Sequence, residues 1–289
     1  MRDETPPKVS VYITTHNRID KLKRAIDSVL KQDYPNFELL VCDDASVDGT
    51  KEYVESLIDK DPRIIYLRNE KNEGACVARN MGIFNATGVF ITGLDDDDEF
   101  LSNRISFFVD NWNDGLSFIC CDFIEKFTNG KEKLYYKEKK IYVEGKYSDL
   151  LFYNIASNQV FTKTESLRGI GGFDVRAKRL QDWDTWLRLS FKYGNFRRFK
   201  EATYIMHHDH KKNEHRVSKS YPFSRALIDL KDRNKELYQG NNLDFINFLI
   251  STVERRAGLR DSILWSFSKK TPKYAMKYAL QFLPLNHYD

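Results

Sequence analysis

The chain of 289 residues has little cysteine and no long apolar run. Its four cysteines, Cys42, Cys76, Cys120 and Cys121, show no Cys-x-x-Cys spacing. We expect reduced thiols in a core, because neither zinc ligands nor a disulfide framework is indicated. No segment approaches the roughly 20 apolar residues that span a bilayer, and the amino terminus lacks a stretch of signal-peptide length. The sequence therefore predicts a cytoplasmic protein.

The chain also has no large excess of basic over acidic residues. Lys and Arg number 46 and Asp and Glu 42, which gives a formal charge of +4. No basic block with interleaved aromatic residues resembles a nucleic-acid module, so nucleic acid is not an expected partner. With 41% hydrophobic and 14% aromatic residues, the chain can bury a substantial core, as one large domain or one domain with an appendage.

What the sequence does have is a run of five acidic residues, Asp95 to Glu99, just after the apolar segment 88–93. Carboxylates this close repel one another unless a cation or solvent offsets their charge. Clusters of oxygen ligands suit hard ions such as Mg²⁺ or Mn²⁺. The run therefore predicts a metal site at the end of a buried strand. The alternative is an acidic loop that faces water.

Strands alternate with helices in the first half of the chain. The patterns predict strands at 9–15, 37–42, 64–67 and 89–94, and helices at 20–30, 53–58 and 75–85, with Asp20 as the N-cap of the first helix. Such alternation predicts an α/β fold with a mostly parallel, Rossmann-like sheet flanked by helices. Sheets of this kind bind ligands beyond the carboxyl ends of their strands, where three polar clusters of this sequence fall.

The second half is less regular. We expect a helix at 101–112, strands at 116–127 and 141–143, a looser stretch to 172, a helix at 182–193 and an extended segment at 195–206. A polar stretch and a helical C-terminal extension follow, so a boundary is placed near residue 205. Four of the six histidines, His207, His208, His210 and His215, fall within nine residues of this region, a density that also suits metal binding.

The polar clusters follow one another in a set order. They are 14–18 (Thr-Thr-His-Asn-Arg), 43–50 (Asp-Asp-Ala-Ser-Val-Asp-Gly-Thr), 72–80, 95–98, 171–174 and 181–184. Together they resemble glycosyltransferase family 2, which contains inverting sugar-nucleotide enzymes of GT-A fold. The resemblance covers about residues 8–205. It implies a GT-A catalytic domain at 1–205, with a nucleotide-binding half at 8–115 and an acceptor-side half at 116–205, followed by the extension at 206–289.

The resemblance also implies how the nucleotide is bound. The implied contacts are Thr14, His16, Arg18, Asp43, Asp44, Arg79, Asn80, Asp95 and Asp96. A carboxylate accepts the ring N–H of uracil, which favours UDP over CDP. From the residues alone, Asp43 and Asp44 also fit an ordinary turn before a helix, and Arg79 fits a solvated helix face.

The acidic run resembles the DXD element of the family. The resemblance implies that Asp95 and Asp97, with His207 as a further candidate, hold Mn²⁺ or Mg²⁺. The metal would bridge the donor's diphosphate and stabilise the charge of departing UDP. Because Asp96 and Asp98 adjoin these residues, the assignment of the direct metal ligands is uncertain by one position.

Inversion requires a base on the face of the sugar opposite the leaving group, and Asp182 is the candidate. It resembles the aspartate of the family's Glu-Asp-Trp motif at a helix start, where the helix dipole is expected to lower its pKa and keep it ionised. Gln181 stands where the usual glutamate would be and removes one charge. Asp184 is a nearby competitor, and a plain N-cap is the alternative role for Asp182.

The C-terminal segment 263–285 interleaves apolar and aromatic residues with four lysines. This composition suits the anionic cytoplasmic leaflet of a membrane. Helices that pack their aromatic residues on the catalytic domain explain the same pattern.

These observations predict a metal-dependent enzyme that moves a hexose from a UDP-sugar to a glycan or a lipid-linked acceptor. The family resemblance suggests lipopolysaccharide O-antigen or capsule assembly, at the cytoplasmic face of the inner membrane. The alternatives are a nucleotidyltransferase, which releases pyrophosphate, and a noncatalytic protein that binds UDP-sugars.

Overall fold

The strand β1 (Val9–Thr15) is buried along nearly its whole length and lies inside the sheet. Its neighbours β2 (Phe37–Asp43) and β4 (Phe90–Asp95) run parallel to it on either side, and β3 (Ile64–Arg68) runs parallel to β2. β-branched residues such as Val9, Val11 and Ile13 fill one face of β1 and belong to the hydrophobic core. Parallel strands buried on both faces take such apolar runs.

The computed structural model describes residues 6–209 and 221–282. Besides β1 to β4, its strands are β5 (Glu99–Phe100), β6 (Phe118–Phe127), β7 (Glu132–Leu134), β8 (Tyr142–Gly145), β9 (Phe161–Lys163) and β10 (Phe196–His208). The helices of the described part are α1 (Ile19–Leu30), α2 (Thr50–Ile58), α3 (Ala75–Asn85), α4 (Arg104–Asp110), α5 (Tyr147–Leu150), α6 (Thr164–Gly169), α7 (Gln181–Tyr193), α8 (Phe223–Arg233), α9 (Asn241–Val253), α10 (Leu259–Ser268) and α11 (Lys273–Leu280).

The strands form one mixed sheet in the order β3-β2-β1-β4-β9-β6-β10-β5, with β7 paired to β6 and β8 paired to β10. Strand β9 is antiparallel to both β4 and β6, so it joins the parallel first half to the second half. The predicted fold class, an α/β sheet flanked by helices with a helical C-terminal extension, is confirmed, with parallel pairing concentrated in β1 to β4.

Helix α3 packs on the face of the sheet opposite to that core, and a glycine makes the contact possible. A Cβ atom on Gly82 would lie 2.9 Å from the Cβ of Tyr12 and 2.8 Å from the Sγ of Cys42. Since real Cβ contacts do not come this close, only glycine lets the helix approach β1 and β2 at this point. The approach sets the position of Arg79, one turn earlier in α3.

The start of α1 corrects one prediction. The helix begins at Ile19 with Arg18 at the N-cap position, and Asp20 lies inside the first turn. The backbone amide of Ile19 donates instead to Oδ2 of Asp48, at 2.9 Å. The helix end is thus satisfied by a carboxylate from a distant loop, a partner that local sequence does not reveal.

The chain divides into two compact units. One holds the described residues up to 209 without 177–180, and the other holds 177–180 and 221–282. The second unit contains α8 to α11. Within it, the Trp265 ring of α10 packs against the Phe245 ring of α9 at 4.7 Å, and the Tyr274 ring of α11 packs against Phe248 at 5.5 Å. No helix in the described ranges has the length and hydrophobicity to cross a membrane.

Candidate active site

The polar clusters of the first half meet at one edge of the sheet. In the strand register, Thr15 lies opposite Asp43 of β2, and Thr14 lies opposite Asp95 of β4. Thr14 is half-buried there. Because β1, β2 and β4 are parallel, the residues after each strand emerge side by side, as expected for a ligand site in such a sheet.

Two loops at this edge, 16–19 and 46–48, are joined by reciprocal hydrogen bonds. The backbone amide of Asn17 donates to Oγ of Ser46 at 2.9 Å, and the amide of Val47 donates to Oδ1 of Asn17 at 2.8 Å. The Asp48 cap on Ile19 is a third link between the two loops. The loops after β1 and β2 therefore form one connected structure.

The carboxylates of Asp43 and Asp44 accept hydrogen bonds from several segments at this edge of the sheet. Asp43 is completely buried and accepts hydrogen bonds from the amide of Ser46, the hydroxyl of Tyr66 and the guanidinium of Arg68. Three donors of the protein thus bind its carboxylate, and its contact with a nucleotide stays a prediction.

Asp44 accepts from the backbone amides of Glu73 and Gly74, at 2.9 and 2.7 Å. Its backbone carbonyl accepts from Nδ1 of His16 at 2.7 Å. Asp44 and His16 therefore lie where the loops that follow β1, β2 and β3 meet. Their contact with a nucleotide stays a prediction.

The carboxylates of the acidic run have different partners. Nη1 of Arg18 lies 3.2 Å from an oxygen of both Asp96 and Asp97. Asp98 is buried and accepts from the hydroxyl of Tyr204 at 2.7 Å and from the amide of His207 at 2.8 Å. Asp98 therefore ties the acidic turn to β10, whereas Asp96 and Asp97 share one arginine.

Burial makes charge on this run unfavourable. It is the main cause that raises the pKa of Asp96 to about 7, and the charge of Asp97 adds to it while Arg18 opposes it. Burial also raises the pKa of Asp95 and Asp98, again with a contribution from Asp97. Like charges in a region of low dielectric repel strongly, so a cation bound here would relieve the repulsion.

Arg79 connects the acidic run to the start of α7. Its Nη2 donates to Oδ1 of Asp95 at 3.1 Å, and its Nη1 donates to Oε1 of Gln181 at 2.6 Å. The same Nη1 lies 3.8 Å from Oδ1 of Asp182. The guanidinium also lies over the ring of Phe173, 5.0 Å from its centroid. One side chain of α3 thus brings Asp95 and Asp182, 87 positions apart in the sequence, to the same guanidinium.

The carboxyl group of Asp182 is partly buried. Its side chain is 29% exposed, yet Oδ1 is covered and has no hydrogen-bond partner among the described residues. Burial raises the pKa of Asp182 to about 6, with Arg79 opposing and Asp95 adding to the increase. The expectation of a lowered pKa is therefore wrong, because loss of solvent raises it.

Asn80 holds a glycine turn in place. Its Nδ2 donates to the carbonyl of Phe173, and its Oδ1 accepts from the amide of Phe173, both at 2.8 Å. Gly172 has a φ of +67°, and a Cβ there would lie 2.4 Å from Oδ1 of Asn80. Asn80 therefore positions Phe173 below Arg79, and its contact with a nucleotide stays a prediction.

Two site residues were missed from the sequence. Gln159 is completely buried, donates from Nε2 to Oδ1 of Asp95 at 3.1 Å and accepts from the hydroxyl of Tyr12 at 3.4 Å. Gln159 lies in the stretch before Gly172 that shows no periodicity, so no pattern marked it. Tyr12 lies between the core residues Val11 and Ile13 in β1, on the face of the sheet that α3 covers. Its hydroxyl group, a polar group on that face, was the only signal that the sequence offered for these two residues.

Comparison with known proteins identifies the family. The model described as Glycosyl transferase family 2 matches residues 10–210. WcaA of Escherichia coli (strain K12), named for glycosyl transfer in colanic acid biosynthesis, is 36% identical over 244 residues, which cover 81% of this chain and 86% of that protein. The chain belongs to glycosyl transferase family 2.

Other relatives of this family 2 glycosyltransferase match over shorter spans. The GalNAc(5)-diNAcBac-PP-undecaprenol beta-1,3-glucosyltransferase of Campylobacter jejuni is 40% identical over 39% of this chain and 37% of its own length. The UDP-Glc:alpha-D-GlcNAc-diphosphoundecaprenol beta-1,3-glucosyltransferase WfgD of E. coli is 44% identical over 34% of this chain and 38% of its own length. Named relatives thus build bacterial polysaccharides and lipid-linked sugars.

Solved structures show the same fold at low sequence identity. S. aureus TarS 1–349 in complex with UDP-GlcNAc has a TM-score of 0.64 and 20% identity, over 95% of this chain and 79% of that one. The Pyrobaculum calidifontis mannosyltransferase PcManGT, in complex with GDP-Man and Mn²⁺, has a TM-score of 0.58 and 16% identity, over 95% and 84%. These likenesses support the GT-A fold.

The family 2 site has a donor set whose chemistry suits a divalent cation. The carboxylates of Asp95 and Asp97 are hard oxygen donors. Burial raises the pKa of Asp95, and the charge of Asp97 adds to the increase, a repulsion that a cation would relieve. Within residues 6–209 and 221–282, however, no three His, Cys, Asp or Glu side chains converge to hold a metal. The two aspartates could therefore hold an ion only together with ligands from a substrate or water.

His207, the further metal candidate, has another partner. Its Nε2 lies 2.7 Å from Oε1 of Glu99, and burial lowers its pKa, with a smaller contribution from Arg24. Nε2 of His208 likewise lies 3.0 Å from Glu125. A metal contact by His207 stays a prediction, and His210 and His215 lie outside the described residues.

Proposed function

We propose that this glycosyltransferase moves a hexose from a UDP-sugar to a hydroxyl group of a lipid-linked or glycan acceptor, with inversion at the anomeric carbon. The observation that carries the proposal is the guanidinium of Arg79, which lies beside both Asp95 and Asp182. A group for the leaving diphosphate and a base for the attacking hydroxyl are thereby close enough to serve one sugar. The beta-glucosyl transfers named for two relatives are consistent with inversion of an α-linked donor.

Asp182 is proposed as the base. With a pKa of about 6, its carboxylate is mostly ionised at neutral pH and is a stronger proton acceptor than an ordinary aspartate. Because Oδ1 is covered and points toward Arg79, the exposed part of the carboxyl group is the part that can meet the acceptor hydroxyl. The charge of Arg79, 3.8 Å from Oδ1, limits the rise in pKa that burial causes.

The donor nucleotide is proposed to lie along the carboxyl edge of β1 and β2. Thr14, His16 and Asp44 lie at this edge, and Arg18 lies between it and the acidic run. Arg18 could turn from Asp96 and Asp97 toward the diphosphate, because guanidinium groups pair well with phosphate oxygens. Relatives named for UDP-Glc and a fold neighbour bound to UDP-GlcNAc support UDP as the nucleotide.

Asp95 and Asp97 are proposed to hold Mn²⁺ or Mg²⁺. When bound, such an ion stabilises the negative charge that develops on the departing diphosphate. The buried, mutually repelling carboxylates of the run support this assignment. Gln159 orients the carboxylate of Asp95 toward the site through the hydrogen bond from its Nε2.

The acceptor is proposed to be linked to a polyprenyl diphosphate, as it is in the names of two relatives. The setting would be bacterial surface polysaccharide assembly, the process for which WcaA is named. A lipid-linked acceptor would bring the enzyme to the cytoplasmic face of the inner membrane, which is the location predicted from the sequence.

The test is release of UDP from a panel of UDP-sugars with Mn²⁺, with and without a GlcNAc-diphosphate-polyprenol acceptor. Asp182→Asn is expected to bind UDP as the wild type does and to lose turnover by about 10²- to 10⁴-fold, because the base is gone. Asp20→Asn is the matched control, since this carboxylate is almost fully exposed on α1.

Wild-type turnover in Asp182→Asn would refute the base assignment. Consumption of added pyrophosphate, with formation of UTP and sugar 1-phosphate in place of UDP, would show a nucleotidyltransferase. Binding of UDP-sugars without turnover on any acceptor would show a noncatalytic protein.

A further inference from the structure

The helices α10 and α11 expose an unusual amount of apolar surface. Phe267 is 80% exposed, and Ile263, Leu264, Met276 and Leu280 are all 40% exposed or more. Monomeric proteins rarely expose large contiguous apolar patches without a partner for them. We call the outward faces of these two helices, with the turn that joins them, the α10–α11 face.

The apolar residues point away from the interior of their unit. Trp265 and Tyr274 are the inward side chains, since their rings pack on Phe245 and Phe248 of α9. Residues two positions apart in a helix differ by about 200° around its axis. Ile263 and Phe267 in α10 and Met276 in α11 are two positions from these rings, so they lie on the opposite sides of their helices.

The aromatic residues of this segment fall into two groups. Trp265 and Tyr274 serve the packing of α9 to α11, whereas Phe267 and Phe282 remain exposed. Packing on a neighbouring helix of the same unit thus accounts for the first pair, and membrane contact by the exposed residues stays a prediction. Residues 283–285 lie outside the described part of the chain.

The charge of the α10–α11 face has one sign. Residues 262–282 contain four exposed lysines and no Asp or Glu. The ammonium group of Lys269 lies over the Phe245 ring, 4.2 Å from its centroid, so the lysines of the face are Lys270, Lys273 and Lys277. Asp261, one turn before Trp265, lies on the inward side of α10. Lys269 and Lys270 lie in the turn between the helices, and the other two lie on α11. Apolar side chains bordered by lysines suit the boundary between acyl chains and anionic headgroups.

We infer that the α10–α11 face docks on an anionic phospholipid surface. No helix of the described ranges is long enough to cross a bilayer, so the face would lie in the interface. A second copy of the chain is a poor occupant, because it would bring six lysines together. The inference deepens the proposed function, on which it rests, by naming the surface that brings the enzyme to a lipid-linked acceptor.

The test measures binding of the full chain to vesicles by co-sedimentation. Phosphatidylcholine vesicles are compared with vesicles that also contain phosphatidylglycerol. Wild-type protein is expected to bind only the anionic vesicles, and more weakly at high salt. The triple variant Lys270→Gln, Lys273→Gln, Lys277→Gln is expected to bind on the order of a hundredfold more weakly, from about fivefold per lysine.

Matched controls distinguish changes in the α10–α11 face from the same changes elsewhere on the protein. Lys31→Gln, Lys51→Gln, Lys60→Gln removes the same charge from exposed sites of the first unit and is expected to bind like wild type. Phe267→Ser is expected to weaken binding about tenfold. Phe84→Ser, at another exposed phenylalanine, is its control and is expected to have no effect.

Equal binding to neutral vesicles, unchanged binding of the lysine and Phe267 variants, or self-association through this face would each overturn the inference. UDP release with a water-soluble acceptor is measured in parallel. It is expected to be unchanged in these variants, so failure of membrane docking and failure of the proposed function give different results.

Discussion

Replacing Gln181 with glutamate is expected to move the acid limb of the kcat/KM profile to higher pH. Oε1 of Gln181 accepts from Nη1 of Arg79 at 2.6 Å, and a glutamate can keep this bond. The substitution adds a negative charge beside Asp182, whose pKa burial already raises to about 6. The base is protonated, and therefore inactive, at pH values below its pKa. If the pKa of Asp182 rises further, activity is lost at a higher pH as the solution is made more acidic.

The size of the shift follows from Coulomb's law. Oε1 of Gln181 and Oδ1 of Asp182 lie 2.6 and 3.8 Å from the same Nη1 of Arg79, so two charges there are about 6 Å apart. At an effective dielectric constant of about 20 to 40 they interact by about 1 to 3 kcal/mol. This corresponds to an increase of about one to two units in the pKa of Asp182. The pull of the new carboxylate on Arg79 acts in the same direction, because it weakens the one interaction that lowers the pKa of Asp182.

The assay is kcat/KM for UDP release from about pH 5 to pH 8, at fixed Mn²⁺ and with a saturating acceptor. Asn129→Asp adds the same charge at an exposed turn and is expected to leave the profile in place. A Gln181→Glu profile that coincides with wild type, or moves to lower pH, would refute Asp182 as the titrating base.

Two other predictions concern the support of the site. Gly172→Ala is expected to lower the free energy of unfolding by about 1 to 3 kcal/mol, because φ is +67° and the new Cβ meets Oδ1 of Asn80. Urea denaturation measures this loss. Adding Asn80→Ala to Gly172→Ala should recover only part of it. Wild-type stability of Gly172→Ala would contradict the prediction. Gln159→Leu removes a donor to Asp95 and is expected to raise the Mn²⁺ concentration for half-maximal activity about 10-fold or more. An unchanged Mn²⁺ requirement would contradict the role of Gln159.

The regular part of the fold could be predicted from the sequence. The β-branched run at 9–15 and the helical spacing at 75–85 correspond to β1 and α3, because a buried strand and a helix with an apolar face have distinct periods. Strand β9 was missed, since three residues are too short to show a period. Its pairing with β4 and β6 depends on contacts between distant segments.

The site was predictable in position but less so in its interactions. The order of the polar clusters indicated one edge of the sheet, where Thr15, Asp43 and the start of the acidic run do lie in register. The sequence could not show that Arg79 reaches α7, or that Gln159 reaches Asp95. It also gave the wrong direction for the pKa of Asp182, because desolvation depends on the whole fold.

The paired loops after β1 and β2 have a consequence for engineering. Asn17, Ser46 and Asp48 connect segments that lie 29 residues apart in the chain. Consider a chimaera that takes only one of these two segments from a relative with another donor preference. The backbone amides of the segment left unchanged would lose their side-chain partners. Transplants aimed at a new donor should therefore exchange 16–19 and 46–48 as a matched pair.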